Sequence, residues 1–190
     1  DCQKGDVSKL EYNHLSNHWK VYLTDKSSQT DSQQKVFLTQ NVCLATGANP
    51  TPHTNLHLGL SDKHVIPLEQ ALSLESLKAN IQPNDKVMIV GGSHSAFVIM
   101  YLLNSLNIPN LTIVNAYKGS LRYAEYKKDF ILYDNTGLKG IVATWAKSIL
   151  EGGQRPNFNL QRVNVDTEGS KLSEAVIDCN KFIYAHGFVR

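Results

Sequence analysis

The sequence has no surplus of one charge and no long hydrophobic run, and these absences exclude several classes of protein. Its 190 residues carry 19 lysines and arginines against 17 aspartates and glutamates, a formal net charge of +2. The two signs are interspersed, so nothing indicates a nucleic-acid or lipid surface. No apolar run approaches the roughly 18 to 20 residues of a membrane span, and no signal-peptide pattern opens the chain. We therefore expect no nucleic-acid partner and no membrane.

Cysteine is also scarce. The three residues Cys2, Cys43 and Cys179 are scattered without C-x-x-C spacing. This excludes a local redox disulfide and favours a reducing, cytoplasmic setting over secretion.

The motifs of common metal and hydrolytic sites are missing as well. No serine stands in G-x-S-x-G, and no P-loop lysine follows a glycine turn. Two H-x-x-x-H pairs occur, but neither segment is clearly helical and no glutamate completes H-E-x-x-H. We expect loop histidines and no metal at these pairs, which are His14 with His18 and His53 with His57. No side chain stands out as an acid, base or nucleophile, so no catalytic residue is predicted.

The first part of the chain has the pattern of an antiparallel β-meander. Trp19–Thr24 alternates apolar and polar residues, and 36–39 and 42–45 are two further short strand candidates. Thr46–Pro52 contains a glycine and two prolines, which end the last strand. The spacing of 68–79 predicts a surface helix.

From Lys86 onward the pattern predicts a β-α-β unit. Val87–Val90 is a continuous apolar run, which is typical of a strand buried on both faces of a parallel sheet. A glycine turn and an amphipathic helix follow it, and Leu111–Val114 is the next strand. Beyond them we predict a helix over 138–149 capped by Thr136, and strands at 161–165, 174–177 and 182–185. The fold class predicted is α/β, a Rossmann-like parallel sheet with an attached antiparallel meander.

The glycine turn carries the chemistry. Gly91 supplies the first glycine of a dinucleotide fingerprint, Ala96 the small third residue, and Ser93 replaces the second glycine. The start of the following helix offers free N–H groups and partial positive charge to an anion. We predict that the pyrophosphate lies against this turn, formed by Gly91, Gly92, Ser93, His94, Ser95 and Ala96. A tight turn without any ligand remains the alternative.

The residues after the second strand favour NADP over NAD. NAD sites place a carboxylate there for the ribose hydroxyls, whereas this chain has Asn115, with Lys118 and Arg122 soon after. Two cations would attract a 2′-phosphate, although solvated loop cations are the simpler alternative.

Two further motifs carry a family resemblance. Leu44–Pro52 resembles the A-T-G-x-x-P motif of flavoproteins with two dinucleotide-binding domains, and Phe182–Phe188 resembles the second such motif, with His186 in place of threonine. The G-G-S-H-S-A turn is nearer to flavin-containing and N-hydroxylating monooxygenases than to disulfide reductases.

The resemblance implies an enzyme that uses NADP (or NAD) together with FAD on an organic substrate. It makes 1–50 a meander strip of the FAD domain and 51–190 the NAD(P)H domain with the crossover back, and it places Thr46 and Gly47 near the flavin's domain. The family's FAD fingerprint is absent, and the chain begins without methionine. We therefore expect the NAD(P)H-binding middle of a longer oxidoreductase, inactive alone, that positions nicotinamide for hydride transfer to flavin. The alternative is a non-catalytic module that senses NAD(P) or binds a partner.

Overall fold

The computed structural model describes residues 6–24, 34–45, 49–50 and 65–189, and the chain divides into two compact units, Asp1–Gly47 and Ala48–Arg190. The first unit is an antiparallel sheet in the order β1-β2-β3. Its strands are β1 (Asp6–Asn13), β2 (His18–Thr24) and β3 (Gln34–Thr39).

The predicted meander is confirmed, with two differences. The strand expected at 42–45 is wrong, because 41–45 has no regular structure. The third strand of the sheet is β1, whose mostly polar and exposed sequence gave no apolar alternation.

The second unit contains eight strands and five helices among its described residues. In chain order they are β4 (Asn49–Pro50), α1 (Leu68–Ala71), α2 (Leu74–Asn80), β5 (Lys86–Val90), α3 (His94–Leu106), β6 (Thr112–Tyr117), β7 (Glu125–Tyr126), β8 (Ile131–Leu132), α4 (Gly140–Leu150), β9 (Asn159–Asn164), α5 (Gly169–Ile177), β10 (Lys181–Tyr184) and β11 (Phe188–Val189).

The central sheet has the strand order β10-β5-β6-β9, and all three pairings are parallel. Taken from its other edge, the order is third, second, first and fourth strand of the sheet, the order of a Rossmann half-domain. The predicted Rossmann-type α/β fold is confirmed. The chain reverses its direction of winding between β5 and β10, and such switch points open a crevice at the carboxyl ends of the strands.

The sheet is covered on both faces, which explains its continuous apolar strands. One cluster joins Ile89 of β5 to Phe97 and Leu103 of α3, all fully buried. The opposite cluster joins Met88, the neighbour of Ile89, to Ala175 of α5. Successive residues of β5 therefore enter different cores, as the alternation of side chains along a strand requires.

Three sequence predictions for helices and strands need correction. The single helix over 68–79 is two helices, because Ser73 begins α2 by accepting a hydrogen bond from the Ser76 N–H. The N-cap of α4 is Lys139, not Thr136. The strand expected at 174–177 is the last part of α5.

Within the described part of the chain, every helix is too short or too polar to pass through a bilayer.

Candidate functional site at the carboxyl edge of the parallel sheet

A cavity of about 730 Å³ opens at the carboxyl edge of the central sheet. The ends of all four parallel strands contribute to it, through Val90, Ala116, Val165 and Ala185. It therefore lies where a doubly wound sheet binds its ligands. Its volume is within the range of about 300–1,000 Å³ that is usual for small-molecule sites.

Gly91 closes the floor of this cavity against the neighbouring strand. Its φ of +146° is unfavourable for residues with a side chain, and a Cβ at this position would lie 2.2 Å from the Ala185 carbonyl oxygen. The Gly91 N–H donates to the Ala116 carbonyl at 2.8 Å, and the Ala185 N–H donates to the Val90 carbonyl at 2.7 Å. Backbone approach at the switch point therefore requires glycine here.

The turn continues through Gly92 and Ser93 into α3. A Cβ on Gly92 would stand 3.0 Å from the Cβ of Tyr117, so this position also favours glycine. Ser93 is the N-cap of α3, is exposed, and makes no side-chain cap hydrogen bond. Its hydroxyl thus remains available beside the free N–H groups of the first helical turn.

The structure brings together five of the predicted site residues on the wall of the cavity: Gly91, Gly92, Ser93, Lys118 and Arg122. Among the described residues, the cavity wall contains both of these cations and no carboxylate. Lys118 lies 4.0 Å from Asp166, but both side chains are largely exposed, so this pair contributes little and leaves Lys118 free to meet an anion. The Arg122 guanidinium lies over the Tyr133 ring at 5.0 Å.

Three further predicted residues lie behind the wall. Ala96 is fully buried and allows α3 to approach the sheet, as the third position of the fingerprint requires. Ser95 belongs to the first turn of α3. His94 is partly buried, its Nδ1 has no hydrogen-bond partner, and burial together with the charge of Lys139 lowers its pKa. None of the three lines the cavity.

The position of Asn115 corrects one element of the sequence argument. The second strand extends to Tyr117, so Asn115 lies inside β6 rather than after its end, and it is fully buried. Its Nδ2 donates to the carbonyl oxygens of Ile89 at 3.2 Å and Gly91 at 2.7 Å. Asn115 therefore braces the glycine turn and does not occupy the place of a ribose-binding carboxylate.

Sequence reasoning missed Arg162 on β9. In the parallel register Arg162 stands opposite Asn115, and its Nε donates to Asn115 Oδ1 at 3.1 Å. Its guanidinium stacks on the Tyr117 ring at 4.0 Å and faces Phe97 at 5.5 Å. No local pattern identifies such a contact, because the two partners are 47 residues apart in the chain.

The resemblance to a second A-T-G-like motif has a structural counterpart. His186 and Gly187 follow β10 and line the same cavity as the glycine turn. The His186 ring contacts Tyr184 edge-on at 5.8 Å. Several residues that entered the sequence analysis lie outside the described residues, among them Cys2, Thr46, Gly47, His53 and His57. Among the residues that are described, no group of three histidine, cysteine or acidic side chains is arranged to hold a metal.

A second cavity of about 740 Å³ lies at the other edge of the sheet, where β6 and β9 begin. Its lining includes Asn110, Arg155, Asn157 and the stem of Arg162. Its described lining residues include no glycine turn and no helix N-terminus, and it lies at the amino ends of the strands, so the carboxyl-edge cavity is the better ligand site.

The chain is similar to known proteins in sequence and in fold. No family model matches the sequence. The chain is 30% identical to the monooxygenase AgnR1 of Paecilomyces divaricatus over 203 aligned positions, which cover 98% of the chain and 49% of that protein. It thus spans about half the length of this curated relative.

Solved structures with the same fold are N-hydroxylating or related monooxygenases. The FAD-bound cadaverine monooxygenase DfoA of Erwinia amylovora superposes with a TM-score of 0.55 at 13% identity, over 97% of this chain and 52% of that one. The ornithine N-hydroxylase KtzI of Kutzneria sp. 744, solved with reduced FAD, NADP⁺ and L-ornithine, gives 0.56 at 13% identity, over 97% and 54%. The L-lysine 6-monooxygenase of Pseudomonas syringae gives 0.53 at 10% identity, over 98% and 53%. The resemblance to flavoprotein monooxygenases is confirmed, with this chain corresponding to a partial segment of them.

Proposed function

Because the chain is similar over nearly its whole length to a segment of flavoprotein monooxygenases, we propose that it is the NAD(P)H-binding portion of an FAD-dependent monooxygenase. Its task is to bind the reduced nicotinamide cofactor and position it for hydride transfer to the flavin. The chain's own part is binding and orientation, because the cofactors carry the redox chemistry. A cytoplasmic setting stays a prediction, consistent with the free thiols of Cys43 and Cys179.

The observation that carries this proposal is the cavity at the switch point between β5 and β10. Its floor is the Gly91–Gly92 turn, where two missing side chains leave room for close backbone approach. A ligand with a diphosphate suits that floor, because the start of α3 supplies N–H donors and partial positive charge.

The residues present fit NADPH. The turn and the Ser93 hydroxyl would hold the pyrophosphate, and Lys118 with Arg122 would hold the 2′-phosphate on the β6 side of the cavity. When bound, the reduced nicotinamide supplies a hydride and the flavin accepts it. The apolar members of the wall, which include Val90, Val165 and Leu172, would exclude water around the bound cofactor.

A non-catalytic module is the second candidate, and the observation that favours it is Ser93. A strict fingerprint has glycine at this place, and the Cβ of serine moves a ligand outward. A chain that keeps the fold while binding dinucleotide loosely would serve as a sensor or as an interaction domain.

Titration of the chain with NADPH and NADH tests the binding site. We expect NADPH to bind more tightly than NADH. Binding of each cofactor is measured by the fluorescence of its reduced nicotinamide. If neither binds more tightly than about 1 mM, and Ser93→Gly does not restore binding, the cofactor assignment is wrong.

The visible spectrum of the full-length protein separates the two candidates. The proposal predicts flavin absorption bands that NADPH bleaches under anaerobic conditions. A colourless full-length protein that still binds NADPH would leave the sensor as the better function.

A further inference from the structure

We propose that Arg162 is a positioning residue for the dinucleotide: it fixes the orientation of the Asn115 amide, which in turn directs the Gly92 N–H of the glycine turn toward the pyrophosphate. This inference rests on the proposed function and deepens it, because it identifies what holds the binding turn in its productive conformation.

The first step is the direction of a peptide plane. The Gly91 carbonyl points toward the side chain of Asn115, and its oxygen accepts a hydrogen bond from Asn115 Nδ2 at 2.7 Å. The chain has no cis peptide bond among its described residues, so the C=O and N–H of the Gly91–Gly92 peptide point in opposite directions. The Gly92 N–H therefore points away from the Asn115 amide. No described residue supplies an acceptor for it, and Gly92 itself lines the cavity.

The second step is the polarity of the amide. An asparagine side chain has a donor end and an acceptor end, and its neighbours decide which way each end faces. Arginine only donates, so Arg162 Nε at 3.1 Å requires Oδ1 on its side of Asn115. The NH₂ group must then face the Ile89 and Gly91 carbonyls. Without Arg162, nothing holds Oδ1 on its side of Asn115, so the amide can flip more easily; a flipped amide turns Oδ1 toward these carbonyls and releases the turn.

The Arg162 guanidinium lies next to aromatic rings and has no ion-pair partner among the described residues. Arg162 is half-buried, and its Nη2 is enclosed without a hydrogen-bond partner. Burial lowers the pKa of this guanidinium, although an arginine keeps its charge. The Tyr117 ring, whose centroid lies 4.0 Å from the guanidinium, stabilises the cation. Tyr117 also lines the cavity, and its Cβ would lie 3.0 Å from a Cβ on Gly92. Burying the Arg162 charge is unfavourable, and this one side chain contacts both Asn115, which holds the turn, and Tyr117 in the cavity wall.

The test compares Arg162→Met with Arg155→Met in the full chain. Arg155 is exposed on the other edge of the sheet, so its replacement removes the same charge without touching the turn. Because the pyrophosphate is common to both cofactors, we expect Arg162→Met to raise the Kd of NADPH and of NADH by the same factor, about five- to tenfold. Arg155→Met should leave both values unchanged.

A readout without cofactor separates positioning from general loss of stability. In the ¹⁵N-labelled apo chain, Arg162→Met should shift the Gly92 amide resonance while resonances of the first unit, such as that of Leu23, stay in place. If wild-type chain binds dinucleotide, and Arg162→Met changes neither the affinity nor the Gly92 resonance, the inference is overturned. If wild-type chain binds neither dinucleotide, the proposed function fails, and the Gly92 resonance alone decides the positioning role.

Asn115→Asp provides a second variant should Arg162→Met fail to fold. Its carboxylate can still accept from Arg162, but it turns an oxygen instead of an NH₂ toward the Gly91 carbonyl. We expect the same equal loss for both dinucleotides. An Asn115→Asp chain with wild-type affinity and an unshifted Gly92 resonance would contradict the proposal.

Discussion

The carbonyl oxygen of Ala185 lies 2.2 Å from the place where a Cβ on Gly91 would stand. These two residues directly follow the adjacent parallel strands β5 and β10 at the switch point, and both line the cavity. The stability of the fold and the shape of the candidate site therefore depend on the same pair.

Gly91→Ala tests this dependence. The variant has to adopt a φ of +146° and displace the Ala185 carbonyl, so we expect the free energy of unfolding to fall by about 3 kcal/mol or more. Gly153→Ala is the matched control, because Gly153 has a φ of +70° with nothing within 4 Å of a Cβ. Strain alone should cost the control about 1 kcal/mol.

The free energy of unfolding is measured by urea titration, followed by the fluorescence of Trp145 in the second unit. Because the sequence has two tryptophans, all variants also carry Trp19→Phe, so that Trp145 is the sole fluorescent tryptophan. Equal losses for the two alanine variants would show that the contact with Ala185 is unimportant.

Lys118→Ala and Arg122→Ala test the choice of cofactor. Each removes a cation from a wall whose described residues include no carboxylate, so the Kd of NADPH should rise about three- to tenfold while that of NADH stays nearly constant. Lys128→Ala removes the same charge outside the cavity and should change neither value. A parallel rise for NADH would assign these cations to the pyrophosphate or to the fold instead of the 2′-phosphate.

The pH dependence of His94 has a defined sign. Burial, and then the charge of Lys139, lowers its pKa below the ordinary value of about 6.5. Folding therefore disfavours the imidazolium, so the stability from the neutral ring is complete above pH 6.5 and is lost as the pH falls below it. NMR titration of the His94 ring should give a midpoint below about 6.5, and Lys139→Ala should raise it. A midpoint at or above the ordinary value would refute this description of the ring.

Tyr123 provides an alkaline counterpart. Burial and its hydrogen bond to Glu151 at 2.9 Å raise its pKa to about 12. An unfolded tyrosine ionises near pH 10, so this stabilisation is present below about pH 10 and is lost as the pH rises toward 12. As the pH rises from about 10 to 12, the free energy of unfolding of Tyr123→Phe should therefore fall less than that of the wild type. Tyr126→Phe, at an exposed site, should follow the wild-type curve.

The sequence predicted the core of the second unit because local patterns determine it. The short, continuous apolar run of β5, ended by glycines, is typical of a strand covered on both faces, and the apolar spacing after the glycine turn is typical of a helix such as α3. Lys118 and Arg122 line the cavity as the sequence led us to expect, since both lie in the segment after a recognisable strand, and their binding of a 2′-phosphate stays a prediction.

The prediction failed where partners distant in the chain decide the structure. Asn115 looked like the end of a strand because it is polar, whereas β6 continues through it and Arg162 from β9 satisfies its amide. The segment 174–177 has strand-like composition, yet Ala175 is its only buried residue and packs as part of a helix on the sheet. Tertiary contacts outweigh local propensity in both cases.

The pairing of β4 with β11 has a topological consequence. Asn49 stands opposite Val189 and Pro50 opposite Phe188, in an antiparallel bridge that brings the incoming and outgoing strands of the second unit side by side. Paired strands are about 5 Å apart, so a few residues suffice to join these two points. With its two ends adjacent, the second unit has the geometry of a domain that can be inserted into another chain at a single position. For the same reason, we expect it to tolerate circular permutation with new ends at the exposed Gly152–Gly153 loop.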